Sequence, residues 1–207
     1  MSLAHASAAA SVKWVGWLRR RIRSSELWLI AVATLIGVAA GTFAVVQAQV
    51  AHGLQMLLFE IDINERLSAQ SHVAPWRLLA IPAGGLLLGG ITWAWMKYRP
   101  RPAVDPVEAN ALHGGRLSMK DSAFICGQTM LSNGVGASVG LEAAYAQAGA
   151  AAASFAGQRL NLRRADMRTL VGAGAGAAIA AAFGAPLTGA FYAFEIVIGA
   201  YTVANLA

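Results

Sequence analysis

Residues 27–59 form an apolar run interrupted only by His52 and a few neutral polar side chains, and this run constrains the chain more than any other feature. A helix needs roughly 20 predominantly apolar residues to cross a bilayer, so the run is long enough to cross at a strong tilt. The rest of the chain agrees. Hydrophobic residues make up 57% and charged residues 13% of the sequence, whereas soluble domains carry about 25% charged residues. The apolar residues are also bunched instead of alternating with polar ones, and the mean hydropathy is +0.54. An all-α, polytopic transmembrane bundle in contact with the lipid bilayer is predicted.

Within the run, Gly37 and Gly41 sit four apart with Ala33 one turn earlier, a small-residue face that lets another helix approach closely. Ahead of it, residues 11–24 place Trp14, Trp17 and Leu18 at helical spacing opposite arginines, which predicts an interfacial amphipathic helix. The chain thus divides into a tail and interfacial helix, 1–24, and a membrane part, 25–207. Residues 60–74 read as an aqueous loop of acidic balance, and 77–96 as a second span carrying Gly84-Gly85 and Gly89-Gly90. Trp93 and Trp95 mark its far interface.

The formal charge is +6. The basic residues sit in short clusters between apolar runs: Lys13 with Arg19 to Arg21 and Arg23, then Lys97 to Arg101, then Arg159 to Arg168. That is the pattern of cytoplasmic loops. It predicts an inner N-terminus, an outer 60–74 loop and an inner 97–120 loop. A nucleic-acid site would need these charges on one surface with stacking aromatics, so no nucleic-acid partner is expected. The lone cysteine, Cys126, reads as a small buried residue. The N-terminus does not read as a signal peptide, because its basic cluster precedes an apolar stretch too long for one.

The second half is broken into shorter pieces. Residues 122–131 read as a short helix that runs into a glycine-interrupted stretch, 132–140, followed by an alanine-rich helix, 143–157. Residues 169–182 and 186–201 form a helix pair broken at Gly184-Ala185-Pro186, since proline disfavours helix in the residue before it. Re-entrant or broken helices at membrane depth occur where they are buried in protein or line a cavity. Such breaks are the best sequence pointer to an ion or substrate site.

Glu142 stands at this break, the only acidic or basic side chain between Asp121 and Arg159. A carboxylate at a span centre costs about 2.5–3.5 kcal/mol on insertion scales, so it demands compensation. Gly134, Gly136 and Gly140 permit turns that expose N–H groups, Ser132, Asn133 and Ser138 add side-chain donors, and the following helix points its positive end at them. The composition is that of an anion site, in which a carboxylate and a small anion compete for the same donors. Glu142 then acts as a gate and proton carrier. The alternative left open is a carboxylate that merely caps the helix.

The stretch Gly136-Ala137-Ser138-Val139-Gly140-Leu141-Glu142 resembles the gating segment of the CLC chloride channel and transporter family in its form G-x-S-x-G-x-E. Residues 173–195 (AGAGAAIAAAFGAPLTGAFYAFE) are similar to the family's A-A-x-F-x-A-P-L-x-G-x-x-F-x-x-E helix pair. The resemblance implies the first of two inverted repeats of that fold. It makes Glu142 the gating glutamate and Gly136, Ser138, Val139, Gly140 and Leu141 the anion-binding segment, with chloride as transported ligand and no cofactor. It implies a multi-pass protein of the bacterial inner membrane that is homodimeric in full-length form.

Departures from the family pattern are informative. The first anion-coordinating loop, G-S-G-I-P, aligns with Pro102 to Pro106, so Ala103 replaces the coordinating serine, and Ala103 and Asp105 are the candidates for the inner side of the pore. Ala143-Ala144 replace Gly-Pro after the glutamate. Ile196 stands where proton-coupled exchangers carry an inner glutamate, which leans towards passive conduction or an atypical transporter, and Glu195 reads as a packing or hydrogen-bonding residue near the helix end. The family's second half is not represented in the sequence, and the apolar ending points to a truncated chain. The alternative function is therefore a helical membrane fragment without transport of its own.

Asp105 and Glu108 are expected in the first turn of a short helix, 106–112, where they favour its dipole. His113 reads as a loop histidine, since no Cys, His or carboxylate set joins it to hold a metal. The 172–176 glycine-alanine stretch follows no strand and reads as close helix packing, not a nucleotide loop. No arrangement of nucleophile and base suggests an enzyme.

Overall fold

The computed structural model describes residues 25–70 and 72–199, with Gly16 and Arg20 alone before them. The interfacial helix expected over 11–24 lies outside the described residues, as does the end of the last helix near residue 201. Every regular element among the described residues is helical. The long apolar run becomes α1 (Glu26–Phe59), which stops where Glu60 turns to a left-handed conformation and its N–H returns to the Met56 carbonyl at 2.9 Å. A 3₁₀ turn (Leu67–Ala69) sits in the loop that follows, and a second (Pro75–Leu79) leads into α2 (Ala80–Tyr98). Then come α3 (Pro106–Leu112), α4 (Met119–Gly134), α5 (Glu142–Arg159) and α6 (Arg164–Phe183). Finally α7 (Pro186–Phe191) runs on as a π-helical turn (Tyr192–Ile198).

The break between α6 and α7 falls at Gly184-Ala185-Pro186, as expected from the proline, with Gly184 left-handed at φ 61°. The helix before Glu142 is longer than expected. Ser118 accepts a bond from the Asp121 N–H and so starts α4 early, and Ser132, Asn133 and Gly134 belong to its last turn instead of to the break.

α5 and α6 are the centre of the bundle and make its most extensive helix pair, with α1 packed across both. Their small residues explain how. A Cβ at Gly149 would run into the Gly174 carbonyl oxygen, and one at Gly174 into that of Gly149, so the two backbones touch there. Gly176 and Gly189 make the same reciprocal contact between α6 and α7. The 172–176 stretch is therefore a packing seam, with Gly172 closed by Ile198. The expected small face of α1 meets α6 as well, Gly37 facing Ala177 and Gly41 facing Ala181. Without Cβ atoms in the way, dispersion contact is gained along whole backbones.

α2 is peripheral. It leans on the end of α4, where Gly84 accommodates Val135, and the space beside Gly85, Gly89 and Gly90 is open. Glu26–Phe59 and Pro75–Tyr98 are long and apolar enough to cross a membrane, and both leave most of their apolar side chains on the surface, Leu35 and Leu86 among them. Exposed apolar area of that extent suits lipid better than water. Cys126 is buried, its thiol reaching the Ala144 carbonyl at 3.4 Å.

Candidate functional site

The break in the middle of the chain is built from a few hydrogen bonds. After α4 ends, Gly136 takes φ 92°, a conformation that side chains rarely adopt, and Phe59 and Leu67 fill the space a Cβ there would need. Its N–H donates to the Asn133 carbonyl at 3.0 Å, and the Ala137 N–H to that of Ser132 at 3.1 Å. The Val139 N–H closes a three-residue turn on the Ala137 carbonyl at 2.7 Å. Asn133 then staples the loop, its amide donating to the Val139 carbonyl at 2.8 Å. Gln55 of α1 holds Asn133 in turn, donating to its side-chain oxygen at 3.0 Å and its carbonyl at 2.9 Å.

These bonds sort the candidate donors. Gly136 and Val139 use their N–H groups inside the loop, and the Asn133 amide is engaged as a staple, so it is not the free donor expected. Ser132 lies within α4, and Gly134 is buried against Leu54. Among the described residues, the N–H groups of Ser138, Gly140 and Leu141 meet no protein acceptor. The first hydrogen bond of α5 runs from the Tyr145 N–H to the Leu141 carbonyl at 2.9 Å, and Leu141 supplies no side-chain cap. The start of α5 thus has no side-chain cap on its first-turn N–H groups, at the positive end of an 18-residue helix.

Glu142 is the first residue of α5 and is exposed. Its carboxylate folds back over Gly140, where it occupies the volume that any Cβ at that position would need. The space beside Gly140 is thus filled by a flexible side-chain end two residues ahead, which can move aside, and not by backbone. Among the described residues the carboxylate makes no hydrogen bond to the α5 N–H groups, so Glu142 does not cap its helix here.

An open cleft of about 820 Å³ surrounds it. Ser138, Gly140, Leu141, Glu142 and Tyr145 form one wall, His52 and Gln55 of α1 another, and loop residues 63–68 a third. That loop is tied down by His52 Nε2 and the Ile63 carbonyl, 3.1 Å apart, while an ion pair from Arg77 to Glu60 and a bond from Arg77 to the Leu58 carbonyl at 2.8 Å secure its ends. The contribution of His52, Gln55 and the 63–68 loop was not foreseen. The isolated polar residues inside an otherwise apolar α1 were the available signal.

Ala103 and Asp105 do not join this cleft. Asp105 caps α3, accepting from the Glu108 N–H at 2.8 Å. The segment is linked to α5 through buried Gln147, which donates to the Val104 carbonyl at 3.1 Å and to Ser122 Oγ at 2.8 Å. Gln147 lies five residues beyond Glu142, about 7.5 Å along the same helix. The His113 ring approaches the Glu108 carboxylate at 3.8 Å. Among the described residues no cluster of three or more side chains is arranged to hold a metal.

Comparison with known proteins gives this arrangement a family. Residues 84–207 match the model of the voltage gated chloride channel family. A chloride channel protein of Ralstonia nicotianae, described as ClcB-like, is 36% identical over 185 residues, which is 86% of this chain and 43% of that protein. The voltage-gated ClC-type chloride channel ClcB of Citrobacter koseri is 32% identical over 186 residues, covering 84% of this chain and 42% of the relative. ClcB of Yersinia pestis is 29% identical over 181 residues, covering 86% and 44%. The chain therefore spans less than half the length of the curated relatives it matches. No solved structure matches it. A family match that takes in both the Glu142 break and the α6–α7 pair, with relatives aligned over most of the chain, places it: the chain belongs to the voltage-gated chloride channel family.

Proposed function

We propose that this chain forms the gate-bearing part of a chloride pathway across a membrane, with Glu142 as the gate. The observation that carries the reading is the position of the Glu142 carboxylate, beside Gly140 and the open N–H groups of Ser138, Gly140 and Leu141, in a cleft at the uncapped start of α5. Chloride and a carboxylate carry the same charge and are stabilised by the same N–H donors and helix dipole. A deprotonated Glu142 swings into that donor set and excludes the anion. A protonated or displaced Glu142 leaves it to chloride.

From there the path continues along α5 towards Val104, with Ala103 and Asp105 on its inner side. Alanine at 103 supplies no hydroxyl donor, so discrimination between chloride, nitrate and other small anions is weak at that point. Ile196 is apolar and 52% exposed where a proton-carrying glutamate is expected in exchangers, which supports passive conduction over proton coupling. The reading includes an inner-membrane location with a cytoplasmic N-terminus, a tail of residues 1–24 ahead of a membrane part of 25–207, and a homodimer in the full-length form. Names such as ClC-type chloride channel, borne by the relatives, support transport over enzymatic chemistry.

The alternative reading is a helical membrane unit without transport of its own. The aligned stretch is 42–44% of the relatives' length, so transport by it alone is itself part of the proposal. Chloride efflux from liposomes separates the two. Efflux from the wild-type chain, altered in Glu142→Ala, supports the gate. Absence of efflux from both favours the second reading.

A further inference from the structure

We propose that the end of the bundle opposite the Glu142 cleft carries a binding site for the phosphate headgroup of an anionic phospholipid, centred on Arg116 and Arg164. A cavity of about 400 Å³ opens there, lined by Val104, His113, Arg116, Ser118 and Asp121. The backbone that presents Arg116 is fixed on both sides. The Gly115 N–H donates to the Ala109 carbonyl at 2.8 Å, and the Leu117 N–H donates to the fully buried Ser154 hydroxyl at 2.8 Å. Arg164 does not line the cavity itself, but its side chain packs against Gly114, two residues before Arg116, and so stands beside it.

The charges at this corner do not cancel. Asp121 is neutralised by Arg99 at 2.7 Å, and Glu108 stands beside His113. Among the described residues neither Arg116 nor Arg164 has an ion-pair partner, and both are exposed. Guanidinium groups bind phosphate oxygens bidentately, which makes a phosphate ester the fitting ligand class.

Two further observations select a lipid over a soluble phosphate. Apolar side chains flank the cavity in the open: Leu112 at the end of α3 is 67% exposed, and Met119 at the start of α4 is 45% exposed. The same end of the bundle also carries an aromatic and basic belt. Lys97 lies over the Trp93 ring at 5.6 Å and Arg99 over Trp95 at 5.7 Å, with Trp95 stacked on Phe124. Tryptophan and basic residues at one depth mark a membrane interface. A basic pocket between helices at that depth, rimmed by apolar side chains, matches a headgroup with its acyl chains alongside.

The test uses the purified full chain in neutral detergent, mixed with phosphatidylglycerol or phosphatidylcholine, with retained lipid counted by native mass spectrometry. The wild type is expected to retain phosphatidylglycerol about ten-fold or more over phosphatidylcholine, as two surface basic groups allow. The Arg116→Gln/Arg164→Gln double variant loses that preference, Arg116→Lys/Arg164→Lys keeps part of it, and Arg66→Gln at the other end keeps all of it. Equal retention of the two lipids by the wild type overturns the proposal. So does a glutamine double variant that retains phosphatidylglycerol as the wild type does. Release of the bound lipid by millimolar inorganic phosphate would show a soluble-phosphate site and overturn the lipid assignment.

Discussion

Gly174→Ala tests the seam on which the candidate site is hung. In the wild-type structure the added Cβ would lie 2.8 Å from the Ala153 Cβ and 3.0 Å from the Gly149 carbonyl carbon, and closer still to the Gly149 oxygen. Carbon atoms in good contact sit about 3.5–4.0 Å apart, so α5 and α6 must separate by roughly half an ångström or more. The obstructing atoms are mostly backbone, with no flexible side-chain end to give way. Overpacking of this kind costs about 1–3 kcal/mol, and the upper end applies here. Alanine returns about 1 kcal/mol through helix propensity, which leaves a net loss of about 2 kcal/mol. Gly85→Ala in α2 is the matched control, because no atom lies within 4 Å of its added Cβ. There only the propensity gain of about 1 kcal/mol operates, with the opposite sign. Unfolding of both variants in detergent, followed by helical circular dichroism against denaturant, reads the difference. If Gly174→Ala is as stable as the wild type while Gly85→Ala is stabilised, α5 and α6 do not touch at this point, and the positioning of Glu142 needs another explanation.

Other predictions follow from the loop itself. Gly140→Ala puts a methyl group where the Glu142 carboxylate rests, so the carboxylate is displaced. Chloride efflux should change in the same direction as in Glu142→Ala, with stability within about 0.5 kcal/mol of wild type; unchanged efflux would separate the rotamer from gating. Asn133→Ala removes the bond to Val139 and one of the two from Gln55. It should lower stability by about 1–2 kcal/mol, read by denaturant unfolding, and loosen the 135–141 turn, read by faster backbone hydrogen exchange.

Much of the helix layout is legible in the chain. Apolar runs and the proline at 186 are local signals, and the helices run and break where those signals lie. The prominence of Glu142 is legible for the same reason, since a lone carboxylate in a long uncharged stretch needs compensation wherever the chain folds. The polar residues near it in sequence take other places in the fold. Asn133 and Ser132 are polar and near Glu142 in sequence, yet one became a staple and the other a helix residue. Which N–H groups remain open depends on where α4 stops, and a serine cap and Gln55 of another helix help set that point.

What the sequence by itself determined is a helical membrane chain with an acidic residue at a break, because hydropathy, charge and backbone restrictions act over a few neighbouring residues. Only the tertiary structure decided that Gly174 meets Gly149 and Gly176 meets Gly189, and that His52 and the 63–68 loop wall the cleft. Those outcomes depend on which surfaces fit when distant segments pack, and a glycine carries no local mark of the backbone it will touch.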